Sequence, residues 1–227
     1  MLRGAVYATG QVCYSVERVY VHESVHDAFV EKLVTKAQAV RLNADNPRAG
    51  HIGPFTFAPQ AEIVKRHLDD AVAKGATVLT GGEIEDIGGG LYLRPTVLTN
   101  VDHSMLIMQD ETFGPCIPVM AYADTEEAIR LANDTNFGLT ASVIAGDVGE
   151  AKAIGRRINA GGIFLQDTFL TFAKLGTFGS DSFGWSGYGS PRIGPESLRR
   201  FLRRKSLLTQ TGPVADIQDD HHLGKGE

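Results

Sequence analysis

Two short stretches carry residue types that could do chemistry. Gly10-Gln11-Val12-Cys13 places a cysteine on a loop just after a glycine, with Arg18 close behind and the apolar run Val19-Tyr20-Val21 following. A thiol becomes a strong nucleophile only as thiolate, so such a site needs surroundings that lower its pKa. Far downstream, Glu111-Thr112-Phe113-Gly114-Pro115 sets an acid and an aromatic ahead of a second apolar run. Taken singly, each has a plain structural explanation. A free cysteine commonly packs as a small hydrophobe, Glu111 reads as a solvated loop carboxylate, and Phe113 reads as a core aromatic. It is the presence of both motifs in one chain that gives Cys13 weight as a reactive thiol.

The elements that must position these stretches alternate along the chain. Leu2, Ala5, Val6 and Ala8 form a piece of helical pattern with no capping residue ahead of it. Val16 to His22 reads as a strand. Ser24, with Asp27 following, reads as the cap of a helix from about His26 to Arg41, whose apolar positions include Phe29, Leu33, Val34 and Ala37. Residues 43–58 form a loop, Pro59 opens a helix to about Lys74, and Gly75 closes it. Ala76 to Thr80 reads as a short buried strand. Leu91 to Leu98 reads as a strand pair or an edge strand, because Pro95 cannot donate to a central ladder.

A short apolar segment, Met105 to Met108, leads into the Glu111 motif. Strands follow at Ile117–Tyr122, Ala141–Ala145 and Gly162–Leu165, with helices at Glu126–Asn133 (capped by Thr125) and Val148–Ile158. This alternation predicts an α/β fold with a mostly parallel sheet flanked by helices. Residues 168–194 form a long Gly-, Ser- and Phe-rich segment whose aromatics argue against disorder. A short helix at Glu196–Phe201, a terminal strand at Lys205–Thr209 and a polar tail from Gly212 complete the chain.

Composition bounds the function classes. With 227 residues, 43% apolar and 22% charged, the chain reads as an ordinary globular protein of one or two domains, one large α/β domain being the simplest reading. A net charge of −5 gives no general attraction to nucleic acid or to an anionic membrane. Two widely separated cysteines do not make a disulfide framework and fit a reducing compartment. No apolar run approaches membrane-spanning length, and the N-terminus lacks the pattern of a signal peptide. The expected location is cytoplasmic.

Several ordered motifs over residues 4–209 together resemble the aldehyde dehydrogenase superfamily. Gly10-Gln11-Val12-Cys13 with Arg18-Val19-Tyr20-Val21 resembles its nucleophile segment, and Glu111-Thr112-Phe113-Gly114-Pro115 its second signature. Asn136 to Val143 and Arg157 to Ile163 also fit, and Thr177 to Gly187 followed by Gly194-Pro195-Glu196 looks like its closing loop and helix. The resemblance implies NAD(P)-dependent oxidation of an aldehyde to a carboxylic acid through a cysteine thiohemiacetal and thioester. It implies Cys13 as nucleophile, with its backbone N–H as half of an oxyanion hole. Glu111 would bind the nicotinamide ribose hydroxyls, Phe113 would pack near the nicotinamide, and Gln60 would stand on the cofactor side. Phe169, Phe172 and Phe178 would line the substrate channel, and no metal is implied.

The departures from the family pattern are also informative. In the family the dinucleotide-binding domain, the general-base glutamate and the side-chain amide of the oxyanion hole precede the nucleophile, and here twelve residues do. Ala8 and Gln166 each stand where the family usually has Asn. The chain therefore resembles a C-terminal, catalytic-domain portion: catalytic residues 1–202, an oligomerisation strand at 203–211 and a tail at 212–227. Homo-oligomer formation through that strand is expected. Two other classes compete for the chain in isolation. One is a non-redox thiol protein, and the other an assembly module without turnover. The basic run Arg199, Arg200, Arg203, Arg204, Lys205 fits a helix C-terminus or subunit interface better than nucleic acid. His221-His222 make a weak metal signal. Gly88-Gly89-Gly90 reads as a turn, since no helix start follows it.

Overall fold

In the computed structural model of the chain, the residues described are 1–46, 48–170, 179–187, 194–203, 205–209 and 211–212. The centre is a four-stranded sheet. Strand β1 (Val19–His22) lies beside β6 (Cys116–Tyr122), which lies beside β5 (Thr96–Thr99), with β2 (Thr77–Thr80) at the far edge. β1 and β5 both run parallel to β6, and β2 runs antiparallel to β5. Further strands form three two-stranded units. β3 (Ile84–Ile87) pairs with β4 (Gly90–Leu93), β7 (Phe137–Gly138) with β10 (Phe183–Gly184), and β8 (Thr140–Val143) runs parallel to β9 (Gly162–Leu165).

Alternation along β5 and β6 divides the core between the two faces of this sheet. Val97, Ile117 and Val119 point to one face. There they meet α2 (Glu23–Gln38) through Val30, Leu33 and Ala37, and α1 (Leu2–Val6) through Ala5 and Val6. Leu98 and Cys116 point to the other. There they meet α3 (Pro59–Ala73) through Ala61, Val64, Leu68 and Ala71, and α4 (Leu106–Gln109) through Ile107 and Met108. β5 is buried along its whole length, which is what a central strand covered on both faces requires. The parallel, helix-flanked sheet read from the sequence is therefore the fold.

Several local expectations need correction. β1 begins at Val19 rather than Val16: the Val16 N–H donates to the Gly4 carbonyl, Glu17 accepts from the Phe113 N–H, and Arg18 donates to the Ala132 carbonyl. The α2 cap is His22, not Ser24. The strand runs straight into the helix, and the imidazole Nδ1 accepts from the Ser24 N–H at 3.2 Å. The cap of α5 (Thr125–Asn133) is Asp124, which accepts from the Glu127 N–H while the Glu127 carboxylate accepts from the Ala123 N–H. The pair resembles a capping box, with the return bond made to the residue before the cap. β2 is not buried: it is the sheet edge, and Leu79 on it is exposed. The β3–β4 hairpin was not foreseen, since Glu85 and Asp86 break the apolar run of β3. Residues 205–209 adopt no strand in the single chain, and Leu207 and Leu208 are 84% and 94% exposed. A 3-10 helix spans Pro195–Phe201.

Candidate active site

The parallel pairing of β1 with β6 decides where the two motifs meet. Val19 lies opposite Val119, so the segments entering these two strands emerge side by side at the same end of the sheet. The Cys13 loop enters β1 and the Glu111 loop enters β6. Before the first of these, α1 passes into a 3-10 helix at Tyr7–Gly10, where Ala8, Thr9 and Gly10 have φ of 50°, 60° and 71°. Only glycine fits the last of these. A Cβ at Gly10 would lie 2.2 Å from the Gly114 carbonyl oxygen. The backbones of the two motifs therefore touch, and a left-handed φ is required at the point of contact.

Side chains stitch a third loop, residues 53–60, to this pair. Thr9 Oγ1 donates to the Gly53 carbonyl at 3.0 Å and accepts from the Gly53 N–H at 3.1 Å. Gln11 Oε1 accepts from the Thr56 N–H at 2.8 Å. Thr112 is held at each of its polar groups. Its N–H donates to Glu17, its carbonyl accepts from Gln60 Nε2 at 2.8 Å, and its hydroxyl shares a hydrogen bond with His67 Nδ1 at 3.1 Å. The Phe113 N–H also donates to Glu17, at 2.8 Å. His67 is buried, and its Nε2 has no partner among the described residues. Burial pushes its pKa down, favouring the neutral ring.

Cys13 is free and exposed, whereas Cys116 is free and buried. The Cys13 thiol pKa is raised rather than lowered. Partial desolvation is the main cause and the Glu111 carboxylate adds to it, while the backbone N–H groups of Cys13 and Tyr14 pull the other way. Arg18 does not offset this. Its guanidinium donates to the carbonyls of Ala132 at 3.1 Å and Asp134 at 3.2 Å. Burial raises the Cys116 thiol far more. Glu111 is exposed, and partial desolvation raises its pKa. Phe113 sits at φ 53°, a strained setting for a bulky residue.

The structure thus brings Cys13, Glu111, Phe113 and Gln60 to one end of the sheet. Gln60 reaches the Glu111 loop through the Thr112 carbonyl. Phe169 lies apart from Cys13 in sequence but beside its helix. Its ring meets Tyr7 edge-on at 5.3 Å, and the Arg3 guanidinium lies 4.0 Å from the ring centroid. Phe172, Phe178 and His221-His222 lie outside the described residues. Sequence reasoning missed Glu17, Gln11 and His67. Of these, Gln11 sat within the nucleophile motif and Glu17 four residues beyond Cys13. His67 interrupts the apolar face of α3, which was the available signal.

The site thus presents an exposed thiol and an exposed carboxylate on adjoining loops at one end of an α/β sheet. The aldehyde dehydrogenase family model matches residues 1–207. A protein of Mycobacterium ulcerans provisionally named succinate-semialdehyde dehydrogenase [NADP(+)] 2 is 36% identical over 200 residues, 88% of this chain and 38% of its own length. Among solved structures, the provisionally named aldehyde dehydrogenase PutA of Anabaena variabilis superposes with a TM-score of 0.86 at 45% identity, covering 95% of this chain and 46% of that one. Betaine aldehyde dehydrogenase of Staphylococcus aureus in complex with NAD+ superposes with a TM-score of 0.84 at 32% identity, covering 94% and 42%. The chain belongs to the aldehyde dehydrogenase family, and it spans less than half the length of these relatives.

Proposed function

We propose that this chain is the nucleophile-bearing part of an enzyme that oxidises an aldehyde to a carboxylic acid with NAD or NADP. The observation that carries the reading is the pairing of the exposed Cys13 thiol with the Glu111 loop on neighbouring parallel strands. The Glu111 carboxylate is exposed and has no ion-pair or hydrogen-bond partner among the described residues. An acceptor of that kind suits a diol, so it fits the ribose of a dinucleotide. Glu111 would hold the ribose, Phe113 would pack beside the nicotinamide ring, and Gln60 would steady the loop that carries both. When bound, the dinucleotide accepts a hydride.

The cysteine chemistry follows. Cys13 Sγ, as thiolate, bonds to the aldehyde carbon, and the carbonyl π electrons move to oxygen. The Cys13 backbone N–H is suited to that oxyanion. Loss of the carbon-bound hydrogen as hydride leaves an acyl thioester on Cys13. Water then adds to the acyl carbon, the carbon–sulfur bond breaks, and acid and thiol are released. The raised pKa of Cys13 means that its deprotonation must be assisted when the site is complete. Phe169, Phe172 and Phe178 are assigned to the substrate channel. Two unlinked thiols, one of them exposed, fit a reducing cytoplasm. Residues 1–202 would form the catalytic domain, residues 203–211 a strand joining a neighbouring subunit, and residues 212–227 a tail.

The test is aldehyde-dependent formation of NAD(P)H, followed by absorbance, in the protein that carries this chain. C13A is expected to abolish it, and E111Q to raise KM for the dinucleotide. Undiminished turnover by C13A would overturn the reading.

A further inference from the structure

The geometry points to Glu17 as the positioning residue that fixes the Glu111 turn against the Cys13 loop, so that thiol and ribose-binding carboxylate are presented together. The inference rests on the roles proposed for Cys13 and Glu111. Glu17 lies on the thiol segment, yet its two carboxylate oxygens accept from two consecutive amides of the other motif. Oε2 takes the Thr112 N–H at 2.9 Å and Oε1 takes the Phe113 N–H at 2.8 Å. Among the described residues, these are the hydrogen bonds that join residues 8–18 to residues 110–115. Gln60 and His67 also hold Thr112, but they reach it from α3 and do not tie it to the thiol.

The turn needs such a tie. Phe113 at φ 53° would relax toward commoner backbone angles if released. Glu111, which precedes the two bound amides, has no hydrogen bond among the described residues, so its position there is set through its neighbours. The Gly10–Gly114 backbone contact sets how closely the loops approach, and Glu17 keeps them from parting. The chemistry calls for a carboxylate. Two N–H donors reach two different oxygens, and a Gln amide would turn its NH2 against one of them. Glu17 also lies near Arg18, Glu111 and Cys116.

A double-mutant cycle on the Cys13 thiol tests this. Iodoacetamide alkylation of Cys13 is followed by mass spectrometry across pH in the native chain, E111Q, E17Q and E17Q/E111Q. In the native background E111Q should lower the midpoint of the alkylation profile, because a like charge is removed. In the E17Q background it should shift the midpoint by less than half as much. Amide exchange at Thr112 and Phe113 should rise about tenfold in E17Q, with the Ile117–Val119 amides unchanged. Equal E111Q shifts in both backgrounds overturn the proposal, as does no E111Q shift in the native chain. If E17Q does not fold, E17D, with both acceptors on a shorter stem, is read in the same way. None of these measurements uses aldehyde or dinucleotide, so failure of the proposed oxidation and failure of this coupling are told apart.

Discussion

At the scale of single residues, the two thiols differ in ways that alkylation can read. Cys13 is exposed on a loop, while Cys116 is 2% exposed at the start of a central strand, its pKa pushed well up by burial. Brief treatment with iodoacetamide should label Cys13 at least tenfold faster, on the order of the difference expected between an accessible and an enclosed thiol. Mass spectrometry of the two peptides reports it, and equal labelling would remove Cys13 from candidacy as nucleophile.

Glu17 gives a second residue-scale prediction, in stability. Although the residue retains partial exposure, burial of its carboxyl pushes the pKa up to about 7, against the two amide bonds that lower it. The folded state then binds a proton more readily than the unfolded chain, whose Glu pKa is about 4.3. Stability from this group is fully present below that unfolded value and is lost as pH rises to about 7. The loss is at most on the order of 4 kcal/mol. Urea unfolding at pH 5 and pH 8 should show that decline, and E17Q should flatten it. A decline of the same size in E17Q would assign it to other groups.

At the scale of elements, the β5–β6 pair is the part that cannot be weakened cheaply. Leu98 is fully buried between β6 and the α3 layer. Leu98→Ala should cost about 2–5 kcal/mol, read as a lower urea midpoint with unchanged slope. Gly10→Ala should do comparable damage by another route, because its Cβ meets the Gly114 backbone and its φ is +71°. A G10A chain of native stability would mean that the two loops are not in contact.

Element boundaries were legible where the cue was local and covalent. Pro59 opens α3, and Gly75, with φ of 102°, follows its end. The unbroken apolar run from Ile117 to Ala121 marked β6 as a buried strand. The β3–β4 hairpin escaped because two acids sit in the middle of β3, where pairing to β4 outweighs their low strand propensity. The site was legible as two motifs but not as a joint. Glu17 announces nothing in its own neighbourhood, because its partners stand about 95 residues away in sequence and are backbone amides, which any residue type supplies. Arg18 looked like a partner for the thiol by proximity in the chain, and the strand direction carries it to the far carbonyls of Ala132 and Asp134 instead.

At the scale of the whole molecule, no helix among the described residues is long and apolar enough to cross a membrane. What the single chain leaves bare is a run of large apolar side chains near its C-terminal end: Phe201, Leu202, Leu207 and Leu208 are 70% exposed or more. An uncovered apolar run of this kind favours association. Light scattering at several concentrations should show a dimer or larger species, and deletion of residues 203–227 should shift it toward monomer if the contact runs through that segment. A monomer at tens of micromolar would sink the expectation. The 227-residue chain by itself is expected to oxidise aldehydes slowly, since loss of an assisting base alone costs roughly 10²–10⁴-fold. NAD(P)H absorbance with short and medium aldehydes checks it, and robust turnover would show that this chain carries the complete machinery.

The parallel pairing of β1 with β6 has a consequence for the growing chain. Synthesis delivers Cys13 and its loop first, but the strand that braces them arrives about a hundred residues later, at Val119. At roughly 5–20 residues per second, that interval is about 5–20 seconds. Throughout it the thiol loop has neither the Gly114 backbone to rest on nor the two amides that Glu17 grips. In a ribosome-bound nascent chain stopped before residue 110, amide exchange in the Cys13 loop should therefore be faster than in one long enough for Tyr122 to have left the ribosome, while the Cys13 thiol stays exposed in both.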